Sequence, residues 1–188
     1  TPPTVTCDQP TPVFLLNQQG AEVTAAVADE GSGPEAETVS APTDTSSVGA
    51  KSVALTGRDL AGNETTVECS YRVEYGFAGF FDPVKNPPAI NTVTAGQVVP
   101  LNFRLTDASG APVTSLTTAK LTAVTLTCDL GTTADLPTEH VIGGLQNLVD
   151  GSYQLNWKTP RIYAGSCKTL RLDLGEGAFR TALFRFRQ

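Results

Sequence analysis

Four cysteines divide this chain into two parts. Cys7 and Cys69 bracket a first block of alternating apolar and polar residues, and Cys128 and Cys167 fall inside a second block. An even cysteine count, without a C-x-x-C motif and with a single histidine in the chain, favours disulfides over metal or redox chemistry. We therefore predict the bridges Cys7–Cys69 and Cys128–Cys167, one in each block. Because disulfides persist in oxidising compartments, we expect a secreted or cell-surface location.

The apolar residues of both blocks repeat with a period of two, which predicts β-strands. Val23, Ala25 and Val27 share one face in the first block, as Leu101 and Phe103 do in the second. Stretches rich in Gly, Asp, Asn and Ser separate these runs, as expected for turns. We found no segment with convincing apolar residues at helical spacing. The sequence therefore predicts an all-β fold of two tandem β-sandwich domains.

The length of the chain, 188 residues, is sufficient for two small domains and a connection between them. Phe77, Phe80 and Phe81 are costly to leave in water, so we expect the connection to be ordered and docked against a domain. Pro87 and Pro88 stiffen the segment that follows. The predicted boundaries are 1–74 for the first domain, 75–88 for the aromatic and proline-rich junction, and 77–188 for the second domain.

The charge and the lengths of the apolar stretches in this chain argue against two classes of partner. Its net charge is −6 and its isoelectric point about 4.7, and no run of Lys and Arg is present to neutralise phosphates, so we expect no nucleic-acid partner. No apolar stretch approaches the roughly 18 residues of a membrane span, so we expect no membrane insertion.

The beginning, Thr1-Pro2-Pro3, is typical of a cut inside a longer secreted protein whose signal peptide lies upstream.

The end of the first block carries a recognisable pattern. Asp59-Leu60-Ala61-Gly62-Asn63 is followed by Cys69-Ser70-Tyr71-Arg72-Val73, and this resembles the D-x-A-G-N…C-x-Y-x-V ending of bacterial immunoglobulin-like and hyalin-repeat-like modules. The stretch Asp29-Glu30-Gly31-Ser32-Gly33-Pro34 is similar to a turn of the same modules. The resemblance covers nearly all of residues 1–74 and implies an immunoglobulin-like sandwich.

The second block resembles the PxKF domain of secreted bacterial proteins over residues 77–187. One departure falls on the motif that names the family, because Pro100-Leu101-Asn102-Phe103 has Asn102 where the family has Lys. The resemblance implies a secreted, modular β domain, often attached to an enzyme, and no catalytic residues. The matching residues are Phe77-Ala78-Gly79-Phe80-Phe81-Asp82-Pro83-Val84, Asn86-Pro87-Pro88, Ala95-Gly96, Val99-Pro100, Asp150-Gly151-Ser152-Tyr153, Trp157-Lys158-Thr159, and Ala164-Gly165-Ser166-Cys167 before Leu170.

Three oxygen donors in the first block are candidates for calcium. Asp29, Asp59 and Asn63 lie on turns that we expect to converge at one end of the sandwich, and a hard cation takes several such oxygens. The alternative interpretation, which we favour, is that these side chains hydrogen-bond their own turns. We therefore assign no metal or cofactor, with calcium as the open alternative.

Two aromatic residues are candidates for stacking on a sugar. Trp157 shares a face with Tyr153 and Leu155, which favours a place in the core. Tyr163 follows Pro160 in a predicted loop and is the more exposed candidate for ligand binding. A sugar site usually needs two or more such platforms, and the sequence provides one.

We predict no catalytic site. His140 is the only histidine, lies in a predicted loop and has no evident partner, and the acidic residues sit beside turns where solvated side chains are expected. Two tandem immunoglobulin-like sandwiches then predict a non-catalytic C-terminal spacer or adhesion-type interaction module of a larger bacterial protein. Its partners would be other domains of the same chain and a cell-surface or glycan ligand. The alternative is a carbohydrate-binding accessory module of a secreted hydrolase.

Overall fold

The computed structural model describes residues 1–128, 138–141 and 143–188, with the backbone alone at 138–141 and 143. Among these residues the regular structure is β-strand, apart from one turn of 3-10 helix, Arg161–Tyr163. No helix in the described part of the chain is long and apolar enough to cross a bilayer. The chain forms two units, one of residues 1–75 with 107–109 and the other of residues 76–106 with 110–188.

The strands of the first unit are β1 (Thr4–Cys7), β2 (Val13–Leu15), β3 (Glu22–Ala28), β4 (Thr38–Pro42), β5 (Gly49–Arg58) and β6 (Glu64–Glu74). They form two three-stranded sheets, with the orders β1-β3-β4 and β2-β6-β5. β2 runs parallel to β6, and every other pair is antiparallel. Side chains from both sheets form one core between them, so the unit is a sandwich.

The core of the first unit follows from the alternation of apolar and polar residues along its strands. Val23, Ala25 and Val27 on β3 are buried, and the intervening residues of that strand face outward. Tyr71 and Val73 on β6 meet them from the other sheet. Each fully buried Val contributes roughly 1.5–3 kcal/mol, so the alternation both selects the strands and sets which face is inside.

The first disulfide joins the two sheets of this sandwich. Cys7, at the end of β1, is bonded to Cys69 on β6, with 5.8 Å between the Cα atoms, and Cys69 is fully buried. Nearby, Gly57 leaves room for the sheets to approach each other. A Cβ atom there would lie 2.7 Å from a methyl of Val5 and 2.8 Å from methyls of Val27.

The strands of the second unit are β7 (Gly76–Phe81), β8 (Ile90–Thr94), β9 (Val98–Thr106), β10 (Lys120–Leu126), β11 (Thr138–Val141), β12 (Gly143–Asn147), β13 (Ser152–Lys158), β14 (Cys167–Asp173) and β15 (Phe179–Arg187). One sheet has the order β11-β10-β14-β15-β8 and the other β12-β13-β9-β7. β8 is parallel to β15, and the remaining pairs are antiparallel.

Aromatic side chains dominate the core of the second unit. Trp157 on β13 is fully buried and packs edge-on against Phe184 and Phe186 of the opposite sheet, with ring centroids 5.1 and 5.6 Å away. Tyr153 stacks on Phe103 at 5.6 Å. The placement of Trp157 in the core, expected from its neighbours in sequence, is therefore what the structure shows.

The aromatic segment after residue 75 is a strand of the second unit. β7 pairs with β9, with a register shift between Phe77 and Phe80. Phe80 is buried, and its ring lies 5.3 Å from that of Phe77 and 6.4 Å from that of Phe103. Phe81 remains 45% exposed.

The second disulfide lies within one sheet. Cys167 begins β14, and Cys128 follows the end of the neighbouring strand β10, with 5.2 Å between the Cα atoms. The predicted fold class, all-β with two sandwiches and one disulfide in each, is thus confirmed.

Replacing Trp157 by alanine tests the aromatic core. We expect Trp157→Ala to destabilise the second unit by about 3–5 kcal/mol, because the change removes a fully buried side chain and leaves a cavity. Urea unfolding followed by near-ultraviolet circular dichroism would measure it. Ile162→Ala, at a position 88% exposed, is the matched control and should leave the stability within about 0.5 kcal/mol. A Trp157→Ala protein as stable as the control would contradict this description of the core.

Candidate functional site

The turn between β5 and β6 is built around the carboxylate of Asp59. One carboxylate oxygen accepts hydrogen bonds from the backbone N–H groups of Ala61 and Asn63, at 2.9 and 2.7 Å. The other accepts one from the side-chain amide of Asn63 at 2.7 Å. Gly62 has a φ of +86°, a conformation that glycine adopts without strain. Asp59 is 3% exposed, so its oxygens are occupied by the turn itself.

The turn that follows β3 is organised in the same way by Asp29. Its Oδ2 atom accepts hydrogen bonds from the backbone N–H groups of Gly31 and Gly33, at 3.1 and 2.9 Å, and from the hydroxyl of Ser32 at 3.2 Å. The N–H of Leu60 donates a hydrogen bond to the carbonyl of Gly33 at 3.0 Å, and Pro34 forms a bridge with Asp59. The structure therefore brings the two predicted turns together at one end of the first sandwich.

These contacts stabilise the ionised form of Asp59. The side-chain amide of Asn63 is the largest cause that lowers the pKa of Asp59 below its usual value, and the backbone N–H groups of Asn63 and Ala61 add to it. Burial acts in the opposite direction but is outweighed, because a carboxylate that accepts several N–H bonds is favoured over its protonated form.

The contacts in both turns are those expected when Asp and Asn side chains hydrogen-bond the backbone of their own turns. Asp29, Asp59 and Asn63 all take part in such bonds. Among the described residues, no group of three or more His, Cys, Asp or Glu side chains is placed to hold a metal ion. The assignment of no metal at these turns stays a prediction, with calcium as its alternative.

The aromatic candidate for ligand binding is not exposed. Tyr163 lies in the 3-10 turn and is only 2% exposed, because its ring packs against Trp157 and Phe186, with centroids 6.3 and 5.2 Å away. The ammonium of Lys168 lies 4.4 Å from the ring centroid. The expectation that Tyr163 presents its ring to solvent is therefore wrong, and the residue belongs to the aromatic core.

A polar hollow lies beside the β4–β5 connection of the first unit, lined by residues 17–22 and 42–46. Asp44 accepts hydrogen bonds from the hydroxyl of Ser46 at 2.6 Å and from the ammonium of Lys51 at 2.9 Å. These partners, Ser46 first, hold the pKa of Asp44 well below its usual range. The lining contains no aromatic residue, so the hollow offers no surface for stacking a sugar ring.

Two asparagines in the second unit have roles that the sequence did not reveal. The side chain of Asn86 accepts the N–H of Phe80 at 2.7 Å and donates to its carbonyl at 2.9 Å. Asn91 does the same for Lys85, at 2.8 and 2.9 Å, and also donates to the carbonyl of Leu183 at 3.1 Å. Each asparagine side chain therefore takes the place of a neighbouring strand, because it hydrogen-bonds both the backbone N–H and the backbone C=O of one residue. The one local signal is that Asn86 precedes two prolines, and it does not identify the partner of that side chain.

A buried ion pair was also missed. Glu176, in the loop between β14 and β15, is fully buried, and both of its carboxylate oxygens accept hydrogen bonds from the guanidinium of Arg180, at 3.1 and 2.9 Å. The guanidinium also lies 5.1 Å from the centroid of Phe77. His140, which we predicted in a loop, instead belongs to strand β11, and its side chain lies outside the described part of the structure.

Comparison with known proteins gave similar structures but no family. No family model matches the chain, so the hyalin-repeat-like and PxKF resemblances stay predictions, and no curated protein matches it. The fibronectin(III)-like modules of CbhA from Clostridium thermocellum are similar over 98% of this chain and 95% of theirs, at 13% identity and a TM-score of 0.30. Domains 4 and 5 of the S-layer protein SbsC are similar over 98% of this chain and 99% of theirs, at 10% identity and a TM-score of 0.31. The strand topology, not these weak similarities, establishes the fold.

Removing the amide of Asn63 tests the electrostatics of the turn. At pH values above the ordinary carboxyl pKa of about 3.9, the ionised form of Asp59 stabilises the first unit. That stabilisation is lost as the pH falls through the lowered pKa of the folded state. We therefore expect Asn63→Ala to lower the melting temperature at pH 7 and the difference from wild type to shrink as the pH falls below about 4.

Thermal melts of both proteins between neutral and acidic pH would measure this difference. Ser70→Ala, at an exposed position of β6, is the control and should match wild type throughout. An Asn63→Ala difference that stays constant across the whole pH range would contradict the role assigned to Asp59.

Proposed function

We propose that this chain is a non-catalytic spacer and interaction module of a larger secreted or cell-surface protein. The observation that carries the proposal is the position of the first disulfide. Cys7 and Cys69 are separated by 62 positions, within a unit whose main segment is residues 1–75. The bridge therefore encloses nearly all of the first unit.

Such a bridge changes what tension does to the unit. A force applied along the chain passes from residues 1–6 through the two sulfur atoms to residues 70–75, so the segment between the cysteines carries no load. Unfolding then lengthens the first unit only by the residues outside the bridge. A module that keeps its length under tension is suited to hold a neighbouring domain at a distance from a surface.

The second disulfide protects less of its unit. Cys128 and Cys167 are 39 positions apart, and the strands from β7 to β10 precede the bridge. These strands are held by hydrogen bonds and by packing, including the buried Phe80 and Phe103. The proposal therefore assigns the two units different behaviour under load, and that difference can be measured.

Side chains with potential chemistry are engaged in the fold itself. Asp59 and Asp29 accept the N–H groups of their own turns, and Glu176 is paired with Arg180. Trp157 and Tyr163 are buried against each other. These placements support a spacer over a carbohydrate-binding accessory module, because the two aromatic residues considered for a sugar site lie in the core.

Single-molecule stretching of the whole chain, with handles at both ends, tests the proposal. Without reductant, we expect the 62-position segment enclosed by Cys7 and Cys69 to stay closed after the first unit unfolds. Cys7→Ser/Cys69→Ser should add a contour length of roughly 22 nm, from a maximum of ~3.6 Å per residue.

The double variant Cys128→Ser/Cys167→Ser is the matched control. It should add a smaller length, roughly 14 nm, because its bridge encloses 39 positions. Extension of the first unit to its full length in the oxidised wild-type chain would contradict the spacer mechanism.

A further inference from the structure

β5 leaves one of its backbone edges open. It is the last strand of the sheet β2-β6-β5 and is ten residues long. Within the described residues no strand pairs with its other side. An edge strand presents N–H and C=O groups that another strand can pair with.

The direction of the open groups follows from the end of the strand. The carbonyl of Arg58 accepts the N–H of Glu35 at 2.8 Å, whereas the N–H of Asp59 donates back to Asn63 at 3.0 Å. Arg58 therefore points its backbone away from β6. Because this direction alternates along an antiparallel strand, four further residues point the same way: Ala50, Ser52, Ala54 and Thr56.

Bulges and prolines, which commonly protect an edge, are absent along this stretch, and its one charged side chain is already paired. The register between β5 and β6 runs from Gly49 to Arg58 without a bulge, and no proline interrupts β5. The open residues carry small, uncharged, exposed side chains. The one charge between residues 49 and 57, on Lys51, is held by Asp44 at 2.9 Å.

The edge of β7 in the second unit provides a contrast. There the side chain of Asn86 occupies both the N–H and the carbonyl of Phe80. A similar cover reaches β5 only at its end, where Pro34 forms a bridge with Asp59. The open stretch of β5 thus remains available for a ladder of several residues.

We propose that β5 pairs antiparallel with β5 of a second copy of this chain, about a two-fold axis at Val53. This register places Ala50 opposite Thr56 and Ser52 opposite Ala54, so all four open residues of each copy exchange hydrogen bonds. No like charges face each other, and the side chains of the four hydrogen-bonded residues are small.

The same register also explains why the partner is a copy of the chain. Val53 of one copy meets Val53 of the other in a pair without hydrogen bonds, where side chains approach most closely. Val53 is only partly buried and packs against the core of the first unit, so this contact would complete its burial. Lys51 lies opposite Leu55, which avoids repulsion between the two Lys51 ammonium groups.

Sedimentation velocity on the whole chain, up to about 1 mM, tests the pairing. We expect a reversible dimer in the wild type. Ser52→Lys/Ala54→Lys places lysines opposite each other in this register and should weaken the dimer at least ~10-fold. Both positions are exposed, so the fold should be kept, and circular dichroism would verify this.

Two further variants make the test specific to the register. Ser52→Asp/Ala54→Lys places opposite charges across the axis and should restore dimerisation relative to the double lysine variant. Ala26→Lys, at an exposed position on the central strand of the other sheet, is the control and should dimerise as wild type does. A chain that stays monomeric throughout, or a dimer unaffected by the double lysine variant, would overturn the proposal.

Discussion

The covalent link between Cys7 and Cys69 is the constraint on which the first sandwich depends. It joins β1 of one sheet to β6 of the other, 5.8 Å apart at Cα, over a core of small aliphatic side chains. Closing a loop of this length lowers the conformational entropy of the unfolded chain, which stabilises the folded state by about 4 kcal/mol. Because the whole stability of a small domain is about 5–15 kcal/mol, the bridge accounts for a large share of it.

The two units solve the problem of a small core differently. The first has no tryptophan and relies on a bridge between sheets, with Val, Ala and Tyr71 packed around it. In the second, the bridge lies between neighbouring strands of one sheet, and Trp157, Phe184 and Phe186 fill the space between the sheets. In the second unit the burial of aromatic side chains holds the two sheets together, as the disulfide between sheets does in the first unit.

Much of this architecture could be predicted because its signals are local. Alternation along β3 identifies the inward face from Val23 to Val27, and two cysteines within each block suffice to pair them. The burial of Trp157 followed from Tyr153 and Leu155 on the same face. Position relative to turns also indicated that Asp59 and Asn63 would bond their own loop.

The remaining features depend on contacts between residues far apart in the chain. Tyr163 follows Pro160 and has the local sequence of an exposed loop, but the 3-10 turn directs its ring onto Phe186. Glu176 sits between two glycines, as a solvated turn residue would, and its burial depends on Arg180 and the packing around it. The open edge of β5 also depends on strand order, which the alternation of a single strand does not encode.

Peptide mapping of the oxidised chain by mass spectrometry, without reductant, tests most directly whether each sandwich is closed by its own bridge. We expect one linked peptide pair containing Cys7 and Cys69 and another containing Cys128 and Cys167. A peptide that joins Cys7 or Cys69 to either cysteine of the second unit would contradict it, as would free thiols at all four positions.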